Sequence, residues 1–376
     1  MNTNSKYFLS SMASAPALSG TAGALLGVLD ACLVNGFGSV TLDSLVINSG
    51  VATATYGSGH GFLDHTVILI EGATPSAANG EKRITVSSAS VFTFDATGIT
   101  NQTATGTITA KMAPLGWTKA HSGTNKAAYS RSTLGATALL LRVDDTAAQS
   151  ARVVGYESMT DVDTGSGPFP TAAQMSGGLY WHKSSTANST ARGWALVGDG
   201  KTLHLFLGFN ASAPTTLEYC AFGDLQTYKA ADAYHCCLMG NISATIAATG
   251  TNNNMSNQVN NSGSAGCYLA RTYLQTGAAI TFLRHALTNE IMGRVGITAP
   301  NPVDDGIHLT PIYANETTAI ARGLLRGIYC PRNDCDGAYA TGDLSVIIDG
   351  HPYLAVIPGA NNTTGGQCWL DLQDWS

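Results

Sequence analysis

The chain reads as a mainly β protein, a multidomain array of antiparallel β-sandwich modules behind an N-terminal amphipathic helix. Three observations predict this. Short runs of β-branched and aromatic residues recur along most of the 376 residues. Gly, Pro, Asn and Asp separate them at about the spacing of antiparallel hairpins and sandwiches. The composition, with 42 glycines, 44% hydrophobic and 12% charged residues, describes a folded, weakly charged, turn-rich chain rather than a disordered one. The length favours two or three domains over one compact unit.

Residues 1–40 make an arm and a helix. Leu25, Leu26, Val28, Leu29, Cys32 and Leu33 fall at helical spacing within 20–34, and Asn35-Gly36 supplies a left-handed stop. The apolar stripe is expected to pack on the following β domain; in an assembly, Leu25 and Leu29 are the candidates to dock on a neighbouring subunit. Residues 41–113 then alternate apolar and polar positions in strands at 44–48, 51–56, 66–71, 83–86, 91–94 and 106–112, with turns at Asn48-Ser49-Gly50, Pro75 and Asn79-Gly80. This spacing predicts an immunoglobulin-like module with one core face and one wet face per strand.

Residues 114–245 form a central β domain, with strands at about 137–144, 151–158, 179–183, 193–198, 202–209 and 216–222. Between the second and third, the segment 160–170 carries two prolines and two glycines, which predicts a long irregular loop. Its Asp161, Asp163, Pro168, Phe169 and Pro170 are candidates for contact with another subunit. A helix is expected over Asp224–Cys237. Residues 246–266 are nearly devoid of large apolar side chains and read as a loop or linker. A C-terminal β domain, 267–376, has strands near 307–313, 321–329, 343–348 and 352–357.

Charge and hydropathy exclude whole classes of function. A net charge of −6 and 19 scattered Lys and Arg residues argue against nucleic-acid binding, which needs clustered cations. No apolar segment reaches the roughly 18 residues of a membrane span. The apolar run after Lys6 is short and broken by Ser10, Ser11 and Ser14, so a signal peptide is not expected. Eight cysteines in so long a chain are expected to be reduced, buried thiols of a protein assembled in a cytoplasm.

No nucleophile elbow, phosphate loop or dinucleotide fingerprint is present, and Gly57-Ser58-Gly59-His60-Gly61 lacks the strand-to-helix setting that phosphate cradling requires. Asp144-Asp145, Asp161 with Asp163, and Asp304-Asp305 supply hard oxygen ligands without the spacing of a calcium loop. Turns at strand ends account for such residues, and Asp161 with Asp163 is the best metal candidate. Cys330 and Cys335 have the spacing of half a zinc site, with His351, or of a local disulfide. Cys236-Cys237, on an apolar segment, read as core thiols. His60, His65, His121, His182 and His204 have no nucleophile in a recognisable local setting and read as hydrogen-bonded structural residues. Tyr180-Trp181 and Trp194 suit either sugar stacking or a sheet core, and the core is the simpler role.

Several segments carry a resemblance. Pro114-Leu115-Gly116-Trp117, the run 121–129, Leu141 to Thr146, Val154 to Asp161 and Trp194 to Asp199 resemble segments of tailed-bacteriophage virion proteins of the tail, baseplate or tail tip. Gly59-His60-Gly61 and Val67 to Gly72 resemble small immunoglobulin-like phage modules, and 307–313 with 321–331 has the same character. The resemblance implies a non-enzymatic structural protein of the virion, assembled in the bacterial host cytoplasm as a homo-oligomer of trimer- or hexamer-related symmetry with other tail proteins. It implies no catalytic residue and no cofactor. The alternative is a receptor-binding or adhesin protein that holds a host-surface glycan; a third reading, a carbohydrate-active enzyme, needs two carboxylates about 5–10 Å apart in a cleft.

Overall fold

The computed structural model describes residues 2–210, 217–244, 265–286, 300–317, 320–333, 335, 339–342, 344, 346–348, 350–358, 367–373 and 375. It is mainly β, with antiparallel pairing throughout the named strands. Residues 245–264, most of the expected linker, lie outside the described set.

Residues 37–112 form one eight-stranded sheet in the order Phe37–Thr41, Thr109–Met112, Val67–Glu71, Gly80–Ser88, Val91–Asp95, Val51–Thr55, Ser44–Asn48 and Gln102–Thr103. Alternation drives it: Leu45, Ile47, Ala52, Ala54, Phe92 and Phe94 point inward and are buried, while their neighbours face water. The long strand Gly80–Ser88 serves both halves, pairing with Val67–Glu71 through Arg83 and with Val91–Asp95 from Ile84 onward.

A five-stranded sheet runs Thr118–Gly123, Lys126–Ser130, Leu140–Asp144, Ser150–Tyr156, Leu179–His182. Beside it a seven-stranded sheet collects Lys6–Leu9, Trp194–Gly198, Thr202–Leu207, Glu218–Asp224, Cys236–Met239, Cys267–Leu269 and Ile280–Thr281. Its central strands are mostly apolar and wholly buried on both faces, with His204, Glu218 and Asp224 as buried polar exceptions, the pattern of a sheet covered on both sides. The last sheet orders Leu283–Ala286, Leu309–Thr317, Ile320–Pro331, Cys368–Asp371, His351–Val356 and Val346–Ile348; Gln226–Thr227 adds to it through Ile320–Pro331.

Two sequence expectations fail here for physical reasons. The helix expected over 20–34 is a short α-helix, Ala24–Leu29, continued by a π-helical turn, Asp30–Asn35. The stripe Leu25, Leu26, Val28, Leu29, Cys32 and Leu33 is buried within the single chain, while Gly27 and Asn35 are exposed; what differs is the length of the α-helix and its π-helical continuation. Leu25 and Leu29 pack internally, so they are not available as docking residues. The Asp145 carboxylate accepts from the backbone N–H groups of Leu25 (2.8 Å) and Leu26 (3.3 Å), and the far end is held by Leu115 and Trp117 N–H groups on Cys32 and Leu33 carbonyls. The helix expected over Asp224–Cys237 is replaced by turns and the strand Cys236–Met239. Four consecutive apolar residues there fill a position between two strands of the seven-stranded sheet, and tertiary pairing overrides local propensity.

The N-terminal arm is likewise internal. Lys6–Leu9 pairs antiparallel with Trp194–Gly198 and is fully buried. The Arg83 guanidinium donates to the carbonyls of Asn2 (2.9 Å), Ser5 (2.8 Å) and His65 (2.7 Å), so the arm bridges the eight- and seven-stranded sheets.

Candidate interaction site

The segment singled out in the sequence is a built feature. Ser158–Met159 and Gly165–Ser166 pair as a small hairpin that carries Thr160 to Thr164 at its tip. Both flanks are fixed. On one, Gly155 and Phe169 exchange two backbone hydrogen bonds of 2.8 Å, and the Phe169 ring lies where a side chain on residue 155 would sit, 2.1 Å from an ideal Cβ. Only glycine leaves room for that ring. Phe169 continues onto Phe222 of the seven-stranded sheet, with ring centroids 6.2 Å apart. On the other flank, Glu157 receives a two-point hydrogen bond from Arg271, at 2.6 and 2.7 Å, and the Arg271 guanidinium covers the Tyr234 ring at 4.7 Å.

This anchoring divides the predicted contact residues. Phe169 and Pro170 are buried and serve the hairpin's attachment, not a partner, and Pro168 is half-buried. Asp161 and Asp163 stand exposed at the tip. The Asp163 carboxylate is taken by Arg142 (2.6 Å) and Lys126 (2.9 Å), and the arginine hydrogen bond holds its pKa below the usual carboxylate range. Asp161 accepts from the Asp163 backbone N–H at 2.8 Å, which lowers its pKa too. The two carboxylates therefore close a turn and an ion-pair cluster; among the described residues no group of three or more His, Cys, Asp or Glu converges to hold a metal. Cys330 and Cys335 are buried and not joined in a disulfide, and burial pushes the Cys330 thiol up to about 12. His351 pairs with Asp371 instead of joining them.

Behind the hairpin lies a groove of about 600 Å³, walled by residues 135–139, by Glu157, Ser158 and Ser166, and by 231–235. Its charges are all committed. Asp232 pairs with Arg322 at 2.7 Å, and nearby Asp224 with Arg131 at 2.7 Å, both pairs essentially without exposure. Asp224 also accepts from the Thr137 N–H and hydroxyl. A groove whose carboxylates are locked by guanidinium groups can recognise a surface by shape and hydrogen bonds, but it offers no carboxylate free to move a proton.

His60, His182 and His204 settle into the core, while His65, beside Asp64 at 3.5 Å, and His121 are half-buried. The His60 ring nitrogens bond to the Phe62 N–H and the Ser88 carbonyl. His182 pairs with Glu218 at 2.9 Å, both buried, and the nearby carboxylate raises the imidazole pKa against the opposing effect of burial. His204 donates from Nε2 to the Arg326 carbonyl and accepts at Nδ1 from the Tyr219 hydroxyl, each at 2.8 Å; burial holds its pKa near 4. Trp181 is 0% and Trp194 3% exposed, and the half-buried Tyr180 ring is covered by the Arg152 guanidinium at 3.8 Å. None of the three is open for sugar stacking.

No family model and no curated protein matches the chain. Its site is therefore described by its own geometry alone. What sequence reasoning missed are the long-range charge pairs, two of them buried, Lys183–Asp145 and Arg131–Asp224, 38 and 93 residues apart, and one partly exposed, Arg271–Glu157, 114 apart. No local motif announces them: Arg131, Asp145, Glu157 and Lys183 each sit immediately after a strand, and only Asp224 lies within one. No described helix is long and apolar enough to cross a membrane.

Proposed function

We propose that this chain is a non-enzymatic structural component of a bacteriophage virion, placed at the tail baseplate or tail tip and assembling as a symmetric oligomer of trimer- or hexamer-related symmetry. The observation that carries this reading is where the buried charges sit: each ties one sheet or segment to another. Lys183–Asp145 joins the helix entry to two strand ends, Arg131–Asp224 joins the five- and seven-stranded sheets, and Arg322–Asp232 joins the C-terminal sheet to the segment that leads into Cys236–Met239. A buried pair adds little net stability but penalises any other relative placement of the parts it joins. Such cross-ties suit a rigid building block. The same reading takes the eight-stranded sheet as an immunoglobulin-like sandwich hinged along Gly80–Ser88, and the 160–164 tip as a contact with another subunit.

Immunogold labelling of particles from a phage carrying this gene tests the proposal: label at the tail end of intact virions is expected, and particles without label would sink it. A second reading is favoured by the groove beside the hairpin, where Tyr234, Glu157, Ser158 and the small residues 135–138 form a polar-rimmed hollow. In that reading the chain is a virion adhesin for a host-surface glycan. The isolated protein would then compete with phage for adsorption, and no competition at saturating protein excludes it.

A further inference from the structure

The strand Ile320–Pro331 of the C-terminal sheet changes partner at a bulge, and a hollow opens there. It holds Gln226 opposite Leu324 and Leu370 opposite Ile328, so residues 325–327 pair with neither strand on that side. On its other side the register jumps from Tyr313↔Leu324 to Pro311↔Tyr329, leaving Ile312 alone against four residues. A bulge of this kind bends its strand and re-aims side chains. Gly327 fits it at φ +66°, with the Trp375 ring where a side chain would sit, 2.0 Å from an ideal Cβ. The hollow measures about 510 Å³, within the ~300–1,000 Å³ of small-ligand sites.

Its lining joins aromatic walls to a few fixed polar groups. Tyr329 and Tyr353 stand edge to face with ring centroids 6.0 Å apart, and Trp375 adds a third ring. Asp371 lies directly opposite Tyr353 in the sheet, so their side chains leave the same face. The Asp371 carboxylate accepts from the Gln373 N–H at 2.7 Å and holds the His351 ring at 3.3 Å, while the imidazole is 41% exposed. Arg326 pairs with Asp199 at 2.9 Å through a terminal nitrogen, and its buried Nε–H has no partner among the described residues. The exposed Gln226 completes the polar set.

We infer that this hollow is a binding site for a neutral pyranose, either a free hexose or the terminal residue of a glycan. Three physical arguments carry it. A buried N–H without an acceptor is costly, and a ligand oxygen in the hollow that Arg326 lines would satisfy it. The charges are matched in place, Arg326 by Asp199 and Asp371 by His351, so a charged ligand meets no spare counter-charge. Hydroxyl groups, which both donate and accept, can use the N–H groups and the remaining carboxylate lone pairs without breaking either pair. The C–H face of a pyranose is apolar and suits tyrosine and tryptophan rings, which bury area at one end and hydrogen-bond at the other. Tyr180, Trp181 and Trp194, the aromatics that the sequence offers for stacking, lie elsewhere and are covered. The inference rests on neither reading of the chain's function given above.

Saturation-transfer NMR titration of the full chain with D-glucose, D-galactose and D-mannose is the test. At least one is expected to bind with a dissociation constant in the millimolar range, that of a ligand with about a dozen heavy atoms. The uronate of that hexose should bind at least tenfold more weakly. His351→Ala and Gln226→Ala, both at positions open to solvent, should each weaken the hexose at least tenfold, with circular dichroism checking that the variants fold. Val51→Thr, 46% exposed on the eight-stranded sheet, should leave binding unchanged. Methyl glycosides of the same hexose keep binding if the occupant is the end of a glycan and lose it if the occupant is a free sugar; both are neutral pyranoses. No binding of any hexose at about 100 mM, a uronate that binds as well as its hexose, or binding indifferent to both alanines overturns the inference.

Discussion

Lys183→Met is the perturbation that most directly probes how this fold is held. In the native protein the Lys183 ammonium pairs with Asp145, both side chains at 0% exposure, and it also donates to the Thr21 carbonyl at 2.6 Å. The substitution leaves the Asp145 carboxylate buried with the Leu25 and Leu26 N–H groups and no counter-charge. Breaking one side of a buried pair costs about 3–5 kcal/mol. The orphaned Thr21 carbonyl adds about 1 kcal/mol. Burial already holds the Asp145 pKa above 3.8, outweighing the lysine that opposes it, so removing the lysine raises it further. A carboxyl group with a raised folded pKa costs stability as pH climbs from its unfolded value through its folded one, so the deficit should be larger at pH 7 than at pH 4. Asp145→Asn combined with Lys183→Met keeps an amide oxygen for the helix N–H groups without any charge, and should return to within about 1 kcal/mol of the unaltered protein. Urea unfolding followed by tryptophan fluorescence measures all three. The reasoning fails if the single variant costs less than about 1 kcal/mol at neutral pH, or if the double variant is no more stable than the single one.

Three further outcomes follow from the same structure. Gly155→Ala should displace the Phe169 ring from its seat and cost about 1–3 kcal/mol in urea unfolding, with the hairpin more open to proteolysis; an unchanged midpoint would contradict the packing described. His204, with its pKa lowered from 6.5 to about 4, stays neutral in the folded state while the unfolded state gains a proton, so stability should fall by about 3 kcal/mol as pH drops from 6.5 to 4. His204→Gln should flatten that part of the pH profile. Asp163→Ala removes exposed ion pairs to Arg142 and Lys126 and should leave the melting temperature unchanged, since solvent screens such pairs.

Much of the strand pattern was legible. Ser44–Asn48, Val51–Thr55 and Val91–Asp95 alternate so cleanly that face and extent follow from period two, and the apolar blocks at Trp194–Gly198 and Thr202–Leu207 could only be covered strands. Thr118–Gly123 and Lys126–Ser130 escaped because their inward positions include Lys119, His121, Ala127 and Ala128, too small or too polar to mark a periodicity. The helix expected at 224–237 was suggested by residues that accept either state, and pairing with Glu218–Asp224 decided it. The buried end of Lys6–Leu9 was invisible for a different reason: its partner lies some 190 residues away, and nothing local encodes register over that distance. The site followed the same rule. A loop over 160–170 could be read from its glycines and prolines, whereas the Ser158–Met159 and Gly165–Ser166 pairing that makes it a hairpin could not, and the bonds that anchor it, Glu157 to Arg271 and Gly155 to Phe169, depend on where distant strands arrive.

That first strand also has a history in time. Lys6–Leu9 leaves the ribosome long before Trp194–Gly198 exists to receive it, and at about 5–20 residues per second the wait is roughly 10–40 s. Throughout it Tyr7 and Phe8, both 0% exposed in the finished protein, have no sheet to enter. Synthesis must therefore run past the middle of the chain before its beginning can fold, and a nascent chain stalled short of residue 194 presents a sticky, unpaired strand at its tip. Closing Lys6–Leu9 into the sheet thus reports that synthesis has passed residue 198, since a copy stopped before it exposes the very residues that a longer one hides.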